Sequence, residues 1–184
     1  MSRIAITNCD VIDGMGNAPA RGVDVLVDGN RIAAVEPSGE GGERNGSAAT
    51  VRIDGKGKTV MPGLIDAHCH MTYGESMTQE EQDIFTSVEG RTLRAAWNVQ
   101  KVLAAGVTGL SQPGGSYFIG VAVRDGISEG RVKGPRMTSA GRYITTSNGL
   151  TDWYPDDTGT VEGNIGIRCN TTDEIGRASC RERV

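Results

Sequence analysis

Histidine is almost absent from this 184-residue chain: there are two, His68 and His70, one residue apart. Aromatic residues are scarce as well, at 4%, so a core of large rings is excluded. The 27 glycines point instead to a strand-and-loop-rich protein with many turns. No apolar run approaches the roughly 20 residues of a membrane span, and the start, MSRIAITNCDVIDG, holds no continuous apolar stretch of signal-peptide length. A soluble, cytoplasmic protein is the expectation. A basic excess is missing too: the net charge is −4, so nothing compensates the phosphates of a nucleic acid or the head groups of an anionic membrane. Neither is expected as a partner. The four cysteines, Cys9, Cys69, Cys169 and Cys180, form no C-x-x-C pair, which argues against a zinc knuckle and a compact disulfide framework and leaves reduced thiols. The triplets NGS (45–47) and NTT (170–172) would matter as glycosylation acceptors only in a secreted protein and are read as chance.

What is present is 37% hydrophobic residues, enough for one ordinary domain, or for a small domain plus part of a larger one. Residues 1–60 carry short β-type segments. Val23, Val25 and Val27 alternate up to Asp28-Gly29, a turn dipeptide, and Ile32 to Val35 return, which predicts a small antiparallel sheet. The stretch 38–50, SGEGGERNGSAAT, is polar and glycine-rich and reads as an exposed loop.

From residue 60 the rhythm becomes strand, helix, strand, helix, strand. An apolar strand is expected over 60–70. A helix is expected over 80–105, with Ile84, Val88, Thr92, Ala95, Val99 and Leu103 at spacings of three to four and Gly106 as its C-cap. VTGLSQ (107–112) is the next strand, 116–130 the next helix with Ser116 at its N-cap, and 136–145 a third strand. This alternation implies parallel strands joined by crossover helices, in an open doubly wound sheet or a closed barrel. The stretch TTDEIGRASCRERV shows no sustained apolar period.

In an extended strand Asp66, His68 and His70 share one face and Ala67 and Cys69 the other. Two imidazoles so placed can converge on one ion at the usual zinc–nitrogen distance of about 2.0–2.1 Å. They would fall at the carboxyl end of the strand, where parallel α/β folds hold their ligands. By itself H-x-H is also compatible with a solvated surface pair.

Pro62, Gly63, Ile65, Asp66, His68 and His70 together spell P-G-x-I-D-x-H-x-H, and here the sequence resembles the amidohydrolase superfamily of metal-dependent hydrolases, in which that motif begins a (β/α)8 barrel. More loosely, AAGVTGLSQPGG and VRDGISEGRVKGPRMTSAGRYITTSNG resemble the branch of imidazolonepropionase-like and prolidase-like enzymes. Two positions depart from that branch: Ser111-Gln112 stands where it commonly has Arg-Asp, and Thr146-Ser147-Asn148-Gly149 where it often has Thr-Gly-Gly-His.

The resemblance implies an α/β fold in three segments: a small β-sandwich-like domain over 1–59, a truncated (β/α)8 TIM barrel over 60–174, and a non-native tail over 175–184, since GRASCRERV resembles translated vector sequence. It implies His68 and His70 as ligands of a divalent metal, one or two zinc ions; Asp66, on the same face, is read either as a partner behind an imidazole or as a carboxylate hydrogen-bonded within the strand layer. The metal would activate a water to hydroxide for attack on a carbon–nitrogen bond of a small-molecule amide, peptide-like compound or cyclic amide. The family's further ligands, a carboxylated lysine or glutamate, two histidines and an aspartate, are not assigned here; no histidine follows His70 and no lysine follows Lys133. An inactive fragment is therefore expected, and whether it forms a homo-oligomer is open. A non-catalytic binding or assembly protein on this scaffold, or a deaminase or phosphoesterase of the same superfamily, are the alternative readings. Trp153 and Tyr154, in LTDWYPDDTG (150–159), are candidates for a loop that contacts substrate.

Overall fold

The computed structural model describes residues 3–39, 51–154 and 166–181, with residues 180 and 181 described by backbone alone. The NGS triplet, most of the 38–50 loop, residues 155–159 of the expected substrate loop and the side chain of Cys180 lie outside the described residues. The chain divides into two compact units, Met1–Pro62 and Gly63–Val184.

The first unit is one five-stranded sheet: β1 (Arg3–Val11), β2 (Ala20–Asp28), β3 (Arg31–Pro37), β4 (Val51–Asp54) and β5 (Thr59–Val60). β2 and β3 form the expected hairpin, but Asp28 pairs with Arg31, so the two turn residues are Gly29 and Asn30 rather than Asp28 and Gly29. Gly29 takes φ of 60° at the first of these, the position where a hairpin turn favours glycine. The sheet is mixed, not antiparallel as expected. β3 and β4 lie on opposite sides of the β1–β2 pair, and β4 and β5 pair with β1 running parallel to it. Cys9, Val23 and Val25 form the core on one face, with Ile6, Val11, Val27 and Val60 packed around them. Among the described residues there is no second sheet to make this unit a sandwich.

The second unit opens with β6 (Leu64–Asp66), α1 (Val88–Ala104), β7 (Val107–Gln112), α2 (Ile119–Ser128) and β8 (Arg136–Ser139). The three strands are parallel and adjacent in chain order, as the strand–helix rhythm predicts. Met71, Ala95, Val99, Leu110, Ile119 and Val123 are the core between strands and helices.

Three elements differ from expectation. The strand over 60–70 is only three residues long in β6, because the Asp66 carboxylate accepts the His68 N–H at 3.1 Å and turns the chain into a bend. The helix over 80–105 is two pieces. A wide helical turn at Glu81–Phe85 ends at Thr86, whose backbone is extended, and α1 restarts with the Ser87 hydroxyl accepting the Gly90 N–H. The strand over 136–145 is also two: β8 stays on β7 until the Ala140 N–H reaches the Gln112 carbonyl, where β7 ends before Pro113. After that β9 (Tyr143–Thr145) pairs with β10 (Gly166–Arg168) instead. The C-terminal α3 (Thr172–Arg181) was not expected from apolar periodicity.

Candidate metal centre

The histidines sit just past the carboxyl end of β6, on a segment tied down from both sides. The Cys69 N–H donates to the Ser111 carbonyl of β7 at 3.0 Å. The Asn98 side chain of α1 donates to the carbonyls of Met71 and Tyr73 at 3.0 and 3.1 Å. Fixed in this way, the two imidazoles turn toward each other edge to face, with their Nε2 atoms 3.2 Å apart. The convergence is real although the strand that was to produce it is not, since the bend at Asp66 replaces strict alternation.

That spacing can be tested against an ion. Two nitrogens each about 2.0–2.1 Å from one centre at a tetrahedral angle lie about 3.3 Å from each other. The pair therefore fits two positions of a tetrahedral site. Among the described residues, no group of three or more His, Cys, Asp or Glu side chains gathers as a metal site, so the donor set is partial.

Behind the pair stand residues that the sequence did not single out. The Tyr143 hydroxyl lies 2.7 Å from His70 Nδ1 and 3.2 Å from its Nε2, and the Gly114 carbonyl lies 3.0 Å from Nδ1. Tyr73 flanks the His70 ring at 5.1 Å between centroids. Burial pushes both phenols above their usual range, Tyr143 further than Tyr73. Neither tyrosine belongs to a motif; the only sequence signal is that each follows the end of a strand on the side where the histidines fall.

Asp66 spends one carboxylate oxygen on the His68 backbone and thereby shapes the turn. Cys69 is half-buried against the core, and burial, then the Asp66 charge, raise its thiol pKa. Tyr154 reaches back to the buried Asp83 with its hydroxyl at 3.5 Å, and burial followed by the Asp83 charge pushes it up to about 12. Trp153 is more exposed and donates its indole N–H to the Leu150 carbonyl. Ser116, expected as a helix cap, is buried with its hydroxyl unpartnered, and the residue at the N-cap of α2 is Phe118, which makes no side-chain cap bond.

No family model matches the chain. It is 43% identical over 60 residues to a D-aminoacylase of Alcaligenes xylosoxydans xylosoxydans, covering 33% of this chain and 11% of that protein. It is 36% identical over 75 residues to an imidazolonepropionase of Alkaliphilus metalliredigens, covering 35% and 18%. Among solved structures, a Xaa-Pro dipeptidase with methionine bound in its active site superposes with a TM-score of 0.78 at 25% identity, over 99% of this chain and 44% of that one. The chain thus spans less than a fifth of these curated relatives and under half of that solved structure.

Proposed function

From a chain that belongs to the amidohydrolase superfamily, we propose the following function: it supplies the first two metal ligands, His68 and His70, of a hydrolase acting on carbon–nitrogen bonds. The observation that carries this is the 3.2 Å separation of the two Nε2 atoms, the spacing of two ligands on one tetrahedral ion. A divalent metal, zinc by ligand type, would polarise a carbonyl and make a water acidic enough to attack it near neutral pH. The chain's own share of that chemistry is to hold two neutral imidazoles at fixed spacing. β6 and its Asp66 bend aim His68, while Gly114 and Tyr143 back His70.

On this reading the three parallel strands are the beginning of a (β/α)8 barrel, the first unit is the accessory β domain, and residues 175–184 are foreign to both. The substrate class is a small amide, dipeptide or cyclic amide, the bond types that the relatives' names describe, and Trp153 and Tyr154 border its entrance. Two nitrogen donors fall short of the three protein ligands usual in a catalytic zinc site, so the 184-residue chain alone is proposed to bind zinc without turning over substrate.

Zinc titration by calorimetry, with the metal-loaded chain also assayed on dipeptides and N-acyl amino acids, tests both halves. The expected result is zinc binding that His68→Ala and His70→Ala each abolish, with no turnover. Unchanged zinc binding in both variants would sink the ligand assignment; sustained hydrolysis by the chain would sink the claim that it is incomplete.

A further inference from the structure

α1 carries a row of exposed side chains that the core does not use. Glu89, Leu93, Trp97 and Lys101 follow one another at intervals of four, so they line a single face of the helix over about 18 Å. Leu93 is 73% and Trp97 55% exposed, while Ala95 and Val99 on the opposite face are buried in the core. One exposed apolar residue is ordinary. Two large ones on consecutive turns, with an acid at one end of the row and a base at the other, form a patch with a direction.

We propose that this row is the contact surface of a homodimer, in which α1 pairs antiparallel with α1 of a second copy about a two-fold axis midway between Leu93 and Trp97. Turning the row end for end sets Leu93 against Trp97 of the second copy and Glu89 against Lys101 of the second copy, and the symmetry makes each contact twice. The apolar pairs then fall at the centre and an opposite-charge pair at either end. A parallel pairing would instead set Glu89 against Glu89 and Lys101 against Lys101, with the helix dipoles aligned. Rows of this spacing are inclined to the helix axis and lie side by side when two helices cross at about −50°. Ala96 and Ala104, next to the row, are small and leave room beside it.

Within one copy Lys101 already pairs with Glu75 and stands 5.8 Å from the centre of the Trp97 ring. An ammonium has three donors, so it can keep Glu75 and still meet Glu89 of the second copy. Because Lys101 is shared, the end pairs set orientation more than affinity, and Leu93 and Trp97 carry the binding. One helix face a side is a small contact, which makes the dimer weak and dependent on concentration.

The experiment is sedimentation equilibrium on the chain carrying Ile65→Lys, which takes the open edge of β6 out of the comparison. A monomer–dimer equilibrium that stops at two is expected. Glu89→Lys and Lys101→Glu, made separately, should each weaken it by about tenfold, since either sets like charges together at both ends. The exposed positions leave the fold alone, and circular dichroism checks that. Mixed in equal amounts, the two variants should recover the dimer as a heterodimer, because a row with two lysines then meets a row with two glutamates. Trp97→Ala, which changes no charge, should weaken the dimer by about 30-fold. A chain that stays monomeric at high concentration overturns the proposal and leaves the row to some other partner. Charge variants that associate like their parent, or a mixture that associates no better than its parts, overturn the antiparallel pairing.

Discussion

Gly63 shows how one missing atom fixes a motif. A Cβ there would fall 2.7 Å from Thr108 Cβ on the neighbouring strand and closer still to the two atoms beyond it. The glycine of PGLID is therefore demanded by the approach of β6 to β7, and Leu64 can donate its N–H to the Gly106 carbonyl at 3.0 Å only because of it. Gly63→Ala should cost about 1–3 kcal/mol by overpacking, measured by urea unfolding. Thr108→Ala made in addition should return part of that loss, a coupling that two distant sites would not show. At this scale the sequence was half legible. His68 and His70 stood out because no other histidine competes with them, whereas Tyr143 lies 73 residues from His70 and nothing local joins them. Their contact exists only because β8 ends where β7 does, and a register of that kind is set by strand pairing.

At the scale of elements, periodicity found the helices and strands but not their interruptions. The apolar stripe of α1 runs on past Ile84, and only the extended backbone at Thr86 and the Ser87 cap break it. α3 was missed for the opposite reason. It is amphipathic but poor in apolar residues, so few side chains carry its stripe, and its clearer signal is the reciprocal cap that can be read in Thr171-Thr172-Asp173-Glu174. The Thr171 hydroxyl accepts the Glu174 N–H at 3.2 Å, and the Glu174 carboxylate accepts the N–H groups of Asn170 and Thr171 at 2.8 and 2.9 Å. These bonds, that from Asn170 first, hold the Glu174 carboxyl below its ordinary value near 4.5. A lowered folded-state pKa means stabilisation that is complete above that ordinary value and is lost as the pH falls through the lower, folded one. The helical signal of α3 in circular dichroism should accordingly fade on acidification below that range. Glu174→Gln, which can still accept the bonds, should flatten the dependence. Ile119, buried in the core at the start of α2, tests packing instead: Ile119→Ala should cost about 2–5 kcal/mol, read from the same urea curves.

For the whole molecule, the most telling feature is apolar surface left open. β6 is an edge strand among the described residues, yet Leu64 is 51% and Ile65 78% exposed. The sheet of the first unit likewise exposes Ile32, Val35, Val51 and Ile53. An uncovered edge of this composition favours pairing with further strands. Sedimentation should show association that grows with concentration, and Ile65→Lys should reduce it; a chain that stays monomeric at high concentration would contradict this. The alternation of strands and helices was legible at this scale, but the exposure of Leu64 and Ile65 among the described residues was not, because a strand meant for a core reads the same whether or not it is covered.

The division at Pro62 has one more consequence, for optical measurement. Every tryptophan, tyrosine and phenylalanine of the chain lies at or beyond Tyr73, so ultraviolet absorbance and fluorescence report on the second unit and are blind to the first. The first has its own reporter in Cys9, the sole cysteine before Pro62, 1% exposed and with its thiol pKa raised by burial. Site-resolved labelling of that thiol alongside tryptophan emission would give each unit a separate unfolding curve from a single sample, without a substitution or an attached dye.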